Sequence, residues 1–265
     1  MKLTASRALT VTVVLTVVAV LTATAVGPLI PRDGTSTVTG GFTPPGQGLP
    51  LGGDSIGRDV LARVLHGGAG LLAVAVAATV VSVSAGVVLG LLLTVDSRIS
   101  SMVAAALDVA LVIPGMLVML MLVYGLGGGT GTMILIATVV NAPFVARFTR
   151  SLVAPLRDAD FVTAARLAGD GTVRTLVREI LPVVAGPLAT DAGARFVGSL
   201  YMVAAAGFLG FRPLGTDGDW ATMIQTGLDG LALNPWASAG PALAVVLVTV
   251  PVNLLVDRLA ERSRL

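Results

Sequence analysis

The chain has 265 residues, of which 55% are hydrophobic and 12% are charged, and its mean hydropathy is +0.92. A soluble domain carries roughly 25% charged residues, so this composition excludes a soluble globular protein and indicates a chain that resides in a lipid bilayer. The lack of cysteine and the single histidine, His66, exclude disulfides, thiolate chemistry and a histidine metal cluster. The net charge is +2, and the basic residues lie between apolar blocks, so membrane topology explains them better than a basic face for nucleic acid.

Apolar segments of about 20 residues predict membrane-spanning helices, because that length crosses the hydrocarbon core. Six segments approach this criterion, at roughly residues 8–31, 67–95, 99–126, 132–146, 186–211 and 230–256. The glycine-rich sequence at residues 127–131 separates the third segment from the fourth. We therefore predict an all-α integral membrane protein with about six transmembrane helices.

The first segment has a second interpretation as a signal peptide. Lys2 and Arg7 resemble the charged region of such a peptide, and Ala23-Thr24-Ala25 resembles a cleavage site. The apolar run is long for a signal peptide, so we favour a membrane-spanning helix. Cleavage would place the amino terminus of the mature chain outside.

The distribution of arginine and lysine predicts the orientation, because basic residues concentrate on the cytoplasmic side. With the amino terminus inside, the inner segments carry twelve basic residues and the outer segments carry four, Arg195 lying within a span. The inner ones are Lys2, Arg7, Arg98, Arg147, Arg150, Arg157, Arg166, Arg174, Arg178, Arg258, Arg262 and Arg264; the outer ones are Arg32, Arg58, Arg63 and Arg212. We predict two cytoplasmic termini, with Trp220 and Trp236 in the outer aromatic belt.

The outer segment before the second span begins with a Gly/Pro-rich loop and ends in a patterned stretch over residues 54–65. Four apolar residues there share one helical face: Val60, Leu61, Val64 and Leu65. This pattern predicts a short interfacial helix on the outer leaflet, capped by Asp54 or Ser55. The simpler alternative is an anchor for the start of the second span.

The inner loop over residues 147–182 is too polar to span the membrane, and its pattern predicts two short helices. Asp160 is suited to cap the first, and Gly169 is suited to end it. Its apolar stripe consists of Phe161, Ala164, Ala165 and Ala168, whose small side chains favour docking into a protein groove. A loop lying on lipid headgroups is the alternative.

The second helix of this loop is predicted to begin at a Thr172 cap and to end at Pro182, just before the fifth span. Its apolar stripe consists of Val173, Leu176, Val177 and Ile180.

This loop resembles the EAA loop of ABC importer permeases. Thr163-Ala164-Ala165, Gly169 and Leu181-Pro182 occupy the positions of the E-A-A triplet, the following glycine and the later Leu-Pro, with Thr163 in place of glutamate. The resemblance implies that the loop docks on a cytoplasmic ATPase subunit. The residues it implicates in coupling are Asp160, Phe161, Thr163, Ala164, Ala165, Gly169, Leu181 and Pro182.

Further matches point to C-type subunits of the dipeptide/oligopeptide/nickel family. Residues 51–63 resemble its L-G-T-D-x-x-G-R-D-V-L-S-R signature, although Gly53 replaces threonine and residues 68–70 depart from the pattern. The extracytoplasmic signature residues are Asp54, Gly57, Arg58 and Asp59. Asp108 and Pro114, residues 206–210, residues 219–223 and residues 253–257 resemble later family segments in the right order.

The resemblance implies the type I importer permease fold in a bacterial cytoplasmic membrane, with no cofactor. Residues 1–66 would form the first span and an extracytoplasmic segment, and residues 67–265 a five-helix core with cytoplasmic coupling helices. The implied partners are a homologous permease, one or two ATPase subunits and an external binding protein. The substrate would be a di- or oligopeptide, with a nickel chelate or haem as alternatives.

Polar groups inside spans are costly and mark either function or a buried contact. Asp108 and Asn141 are candidates for lining a pathway or for a helix–helix contact. Asp191 and Arg195 are spaced to pair on one helix face. Gly86 and Gly90 form a G-x-x-x-G pattern, which permits close helix packing either with a partner subunit or within the chain.

The chain lacks the G-x-x-x-x-G-K-[ST] phosphate loop, so a separate subunit must hydrolyse ATP. Two other classes of protein, a secondary transporter and an intramembrane enzyme, fit the sequence less well. A secondary transporter would show several acidic residues at mid-membrane and inverted repeats, whereas Asp108 is the one acid deep in a span. An intramembrane enzyme would need metal ligands or a nucleophile–base pair. We therefore predict a pore subunit that is not itself an enzyme.

Overall fold

The computed structural model describes residues 34–46, 48–95, 97–211 and 218–262, so the first predicted span lies outside the described residues. Within these ranges the chain forms nine α-helices. They are α1 Val60–Leu92, α2 Arg98–Val112, α3 Gly115–Leu126, α4 Thr130–Val153, α5 Asp160–Leu167, α6 Thr172–Thr175, α7 Leu181–Phe208, α8 Trp220–Gly227 and α9 Trp236–Arg262.

Four helical segments among the described residues are long and apolar enough to cross a membrane. They are Val60–Leu92, Thr130–Leu156, Thr172–Phe208 and Trp236–Val256. The α2–α3 pair would make a fifth, although its two helices meet at 93°. These segments confirm the prediction of a multi-helix membrane protein.

The predicted third span is bent, because the chain breaks between α2 and α3. Ile113 is extended, with ψ of 124°, and Pro114 follows it before α3 begins. A proline ring clashes with helical geometry at the preceding residue, which ends α2 at this point. The two halves of the third segment therefore run at nearly a right angle to each other.

Helices α1 and α4 pack closely along a glycine seam. A Cβ at Gly86 would lie 2.4 Å from the Cβ of Val145, and one at Gly90 would lie 2.5 Å from the Cβ of Thr149. The G-x-x-x-G pattern therefore serves a contact within the chain. The main apolar core of the described residues has as its largest buried members Leu71, Met119, Met133, Ile136, Leu200, Trp220 and Met223.

The prediction that Pro182 ends a separate inner helix is wrong. Helical structure continues from Thr172 to Phe208, with a π-helical turn at Leu176–Ile180 and Pro182 in the first turn of α7. A π turn shifts the hydrogen-bond register, which accommodates the missing amide of a proline. Thr172 is also not the cap, because Gly171 holds that position without a side-chain hydrogen bond.

Candidate functional site

Helix α5 begins at Asp160, one residue earlier than predicted. Ala159 holds the N-cap position without a side-chain hydrogen bond, so the predicted cap by Asp160 is not formed. Asp160 instead places an acidic group in the first turn, where the helix dipole favours it.

The end of α5 is confirmed as predicted. Gly169 has φ of +90°, a backbone conformation that residues other than glycine rarely adopt. The amide of Asp170 donates to the carbonyl of Ala165 at 3.0 Å, and the amide of Gly169 donates to that of Arg166 at 3.0 Å. These two bonds make a Schellman stop, which turns the chain sharply into α6. An exposed ion pair at 3.0 Å joins Asp170 to Arg174 across the turn.

The buried face of α5 differs from the predicted stripe. Val162 and Ala165 are buried, and α5 rests on a cluster that contains Val153 and Ile180. Phe161, Thr163, Ala164 and Ala168 are exposed. Ala165 therefore does not belong to the exposed stripe that was predicted for docking, because its side chain is buried.

Four apolar side chains on α5 and on the segment after it are exposed. Phe161 is 38% exposed, Leu167 85%, Val173 74% and Val177 51%. We call these four residues the coupling surface. Sequence reasoning missed Leu167, although an apolar residue just before a glycine stop is a usable signal. Leu181 is half-buried against the supporting cluster, and Pro182 is exposed.

In the segment that precedes α1, Asp54 organises a compact turn. Its carboxylate accepts hydrogen bonds from the amides of Ile56 at 3.0 Å and Arg58 at 2.8 Å, and from Nε of Arg58 at 2.7 Å. It also accepts one from Nη1 of Arg63, whose side chain is buried. Burial raises the pKa of Asp54, but hydrogen bonds from Arg58 and the charge of Arg63 outweigh it and leave the pKa below its ordinary value.

The prediction of an interfacial helix over residues 54–65 is wrong. Helix α1 begins at Val60 and continues without a break into the span, while Asp59 caps it by accepting from the amides of Leu61 at 2.9 Å and Ala62 at 3.3 Å. The turn before it requires Gly57, which has φ of +83° and whose Cβ would lie 1.9 Å from the carbonyl oxygen of Thr39. The signature residues thus build the start of α1.

This turn is tied to the segment before α9. Nδ2 of Asn234 donates to the carbonyls of Leu51 at 3.0 Å and Gly53 at 2.9 Å. Nε1 of Trp220 donates to the carbonyl of Val64 at 2.7 Å. We call residues 34–59 and 218–236 together the outer cap.

The membrane-belt interpretation of Trp220 is wrong. Trp220 is 1% exposed and lies in the apolar core, because its ring is enclosed where the outer cap meets the bundle. Trp236 is 40% exposed and remains compatible with the belt. Asn234 was missed, although a polar residue directly before a proline and a new helix is a typical cap.

The polar residues of the spans take part in helix contacts. Asp108 on α2 pairs with Arg147 on α4 at 3.0 Å, with both side chains well exposed. Asn141 donates to Ser199 of α7 across 3.4 Å in the core. Asp191 and Arg195 pair at 3.1 Å, which confirms the predicted i, i+4 contact. The Arg195 guanidinium also stacks over the ring of Phe144 at 5.2 Å.

The described residues thus form a bundle of apolar helices, with a short helix that is exposed on one face and a hydrogen-bonded turn at the start of α1. The family described as "Binding-protein-dependent transport system inner membrane component" matches residues 82–264, so the chain belongs to that family. This result confirms the permease of an ABC importer, a multi-pass membrane protein that works with an ATPase and a binding protein.

Individual relatives agree with the family. A protein named "Di/tripeptide transport system permease protein DppC" from Pseudomonas aeruginosa (strain UCBPP-PA14) is 32% identical over 212 residues, which are 80% of this chain and 70% of that protein. A "Dipeptide transport system permease protein DppC" from Alkalihalophilus pseudofirmus is 28% identical over 212 residues, with the same two coverages of 80% and 70%.

A solved structure shows the fold. It is described as inward-facing conformations of the MetNI methionine ABC transporter, and it matches with a TM-score of 0.57 at 19% identity. The match covers 72% of this chain and 94% of that chain. The expected importer permease fold is therefore confirmed.

Proposed function

We propose that this chain forms half of the translocation pathway of a di- or oligopeptide importer, and that the coupling surface docks into a groove of the cytoplasmic ATPase. The observation that carries the proposal is the exposure of the apolar coupling surface, while the other face of α5 is buried against the bundle. A rigid support transmits force, because the buried residues beneath α5 leave little room for it to slide. The names of the related permeases support a peptide substrate.

The proposed orientation places α5 and α6 inside the cell, the outer cap outside and both termini in the cytoplasm. It is supported by the arginines that cluster around the inner loop, among them Arg147, Arg150, Arg166 and Arg178. A coupling surface on this side faces the compartment in which ATP is available.

The second half of the pathway is proposed to come from a homologous permease subunit. Helix α2 supports this proposal, since none of its residues is buried and Met102 is 73% exposed. The isolated chain in liposomes is expected to move no peptide.

The docking proposal is tested by Leu167→Asp in the complete importer. A charge at the most exposed apolar position of the coupling surface should weaken docking, because the carboxylate would be buried without a partner. We expect the ATPase to be lost from the purified complex and transport to fall at least tenfold. Leu233→Asp is the control, since Leu233 is an exposed leucine of the outer cap.

Normal copurification of the ATPase with the Leu167→Asp complex would contradict the docking proposal. The substrate proposal is tested separately by the uptake of a labelled dipeptide. Uptake is compared between cells that lack the gene for this chain and the same cells complemented with it. Uptake of a nickel chelate or haem in place of the dipeptide would replace the substrate assignment and leave the docking proposal intact.

A further inference from the structure

A cleft opens where α1, α2 and α4 meet near the inner ends of their spans. Its volume is about 300 Å³, and its lining includes Leu93, Ser97, Arg98, Ser100, Ser101 and Arg150. We call it the inner basic cleft. A second cleft of about 270 Å³ adjoins it, shares Leu93 and Arg150, and adds the apolar side chains of Ala104 and Leu107.

The walls of the inner basic cleft are held together by hydrogen bonds. Oγ of Ser100 donates to the carbonyl of Leu93 at 3.0 Å, which ties the start of α2 to the end of α1. Oγ of Ser97 accepts from the amide of Ser100 at 3.0 Å and caps α2. The position of Arg98 on the first turn is therefore set by the fold.

Among the described residues, two arginines of the cleft lack a carboxylate partner. Arg147 in the adjoining cleft is neutralised by Asp108, whereas Arg98 and Arg150 form no ion pair with any carboxylate of the described residues. Asp96, which precedes this turn in sequence, lies outside the described residues. The amino terminus of the 15-residue helix α2 adds a partial positive charge on the same side.

We propose that the inner basic cleft binds the phosphodiester headgroup of an anionic phospholipid such as phosphatidylglycerol. Guanidinium groups bind phosphate oxygens in forked geometry, and basic pockets between helices at the membrane surface hold anionic headgroups. Residues beside the cleft favour a lipid over a soluble anion. Ile99 is 73% exposed on the first turn of α2 and offers a path for acyl chains from the headgroup into the hydrocarbon.

The bound headgroup would fasten α2 to α4. Helix α2 has no buried residue, and its described ion pair to α4 is the exposed one between Asp108 and Arg147. A phosphate held between Arg98 of α2 and Arg150 of α4 adds a second connection. Lipid composition then influences how firmly the bent α2–α3 pair is held. The choice of the inner leaflet rests on the proposed orientation, whereas the headgroup chemistry does not.

Native mass spectrometry of the full chain tests the proposal. The chain is released from micelles doped with phosphatidylglycerol or with phosphatidylcholine of the same acyl chains. We expect retained phosphatidylglycerol in preference to phosphatidylcholine. Arg98→Gln/Arg150→Gln should lose about fivefold of that preference for each arginine and about 25-fold for the pair. Arg178→Gln, an exposed arginine outside the clefts, should behave as the unmodified chain.

A charge-preserving pair, Arg98→Lys/Arg150→Lys, controls for folding and should keep most of the preference. Equal retention of the two lipids by the unmodified chain would overturn the proposal, and so would unchanged preference in the glutamine pair. Inorganic phosphate at millimolar concentration is added in a separate arm. Full displacement of the lipid by phosphate would mean that the cleft is a site for soluble anions.

Discussion

Removing the charge of Asp54 should loosen the whole outer cap. Asp54→Asn keeps the size of the side chain and one acceptor for the amides of Ile56 and Arg58, but turns donors toward two guanidinium groups. Breaking a buried ion pair by changing one partner costs about 3 to 5 kcal/mol. Because the Arg58 side of the turn is partly exposed, we expect about 3 kcal/mol, or roughly 6–12 °C in melting temperature.

The assay is thermal unfolding of the purified chain in detergent, followed by tryptophan fluorescence. Trp220 reports on the cap, since it is buried and donates a hydrogen bond to the carbonyl of Val64 in α1. Its emission should shift to the red at a lower temperature in Asp54→Asn. Asp229→Asn is the matched control, because Asp229 is an exposed carboxylate in the same cap. Melting within about 1–2 °C of this control would refute the reasoning.

The difference in stability between the unmodified chain and Asp54→Asn should depend on pH. The pKa of Asp54 is lowered in the folded chain, so its contribution to stability is complete above its ordinary value of 3.8 and is lost as the pH falls from there through the folded pKa. The difference in melting temperature between the unmodified chain and Asp54→Asn should therefore shrink below about pH 4 and stay constant between pH 5 and 7.

Two glycine substitutions test close approaches elsewhere in the fold. Gly57→Ala should destabilise the outer cap by more than about 1 kcal/mol, because φ is positive and a Cβ would meet the carbonyl of Thr39; an unchanged melting curve would contradict the turn. Gly86→Val should push α1 away from Val145 and lower the free energy of unfolding by more than about 3 kcal/mol. The control is Gly125→Ala, where the added Cβ meets open space, and equal melting temperatures of the two variants would contradict the close packing of α1 and α4.

The spans were predictable because their physical cause is local. A run of about 20 apolar residues can satisfy its backbone in lipid only as a helix, and four such segments were found. The end of α5 was predictable for the same reason, since only a residue tolerant of positive φ fits at Gly169.

The errors share a different cause, which is contact between distant parts of the chain. The burial of Trp220 depends on Val64, 156 residues earlier in sequence. The buried face of α5 is set by Val162, which packs in the cluster around Val153 and Ile180. Periodicity specifies that a helix has an apolar face, but the packing partner decides which residues on it are covered.

The broken third segment and the continuous start of α1 illustrate a competition between length and local signals. Pro114 ends α2 although the apolar run continues past it. In contrast, α1 continues through Gly67 and Gly68 without a break. Glycine at position 67 serves a close contact, since a Cβ there would meet the carbonyl of Gly218. A glycine in a helix is a poor signal for its end when a neighbouring segment approaches closely.

The central claim is that the coupling surface meets the ATPase, and the labelling rate of a cysteine at Leu167 tests it most directly. The chain contains no cysteine, and Leu167 is 85% exposed, so Leu167→Cys gives a single reactive thiol. The rate is measured with an impermeant thiol reagent in inside-out vesicles, with and without the ATPase subunits. The account predicts fast labelling of the permease alone and at least tenfold protection by the ATPase. Equal rates in the two preparations would contradict it.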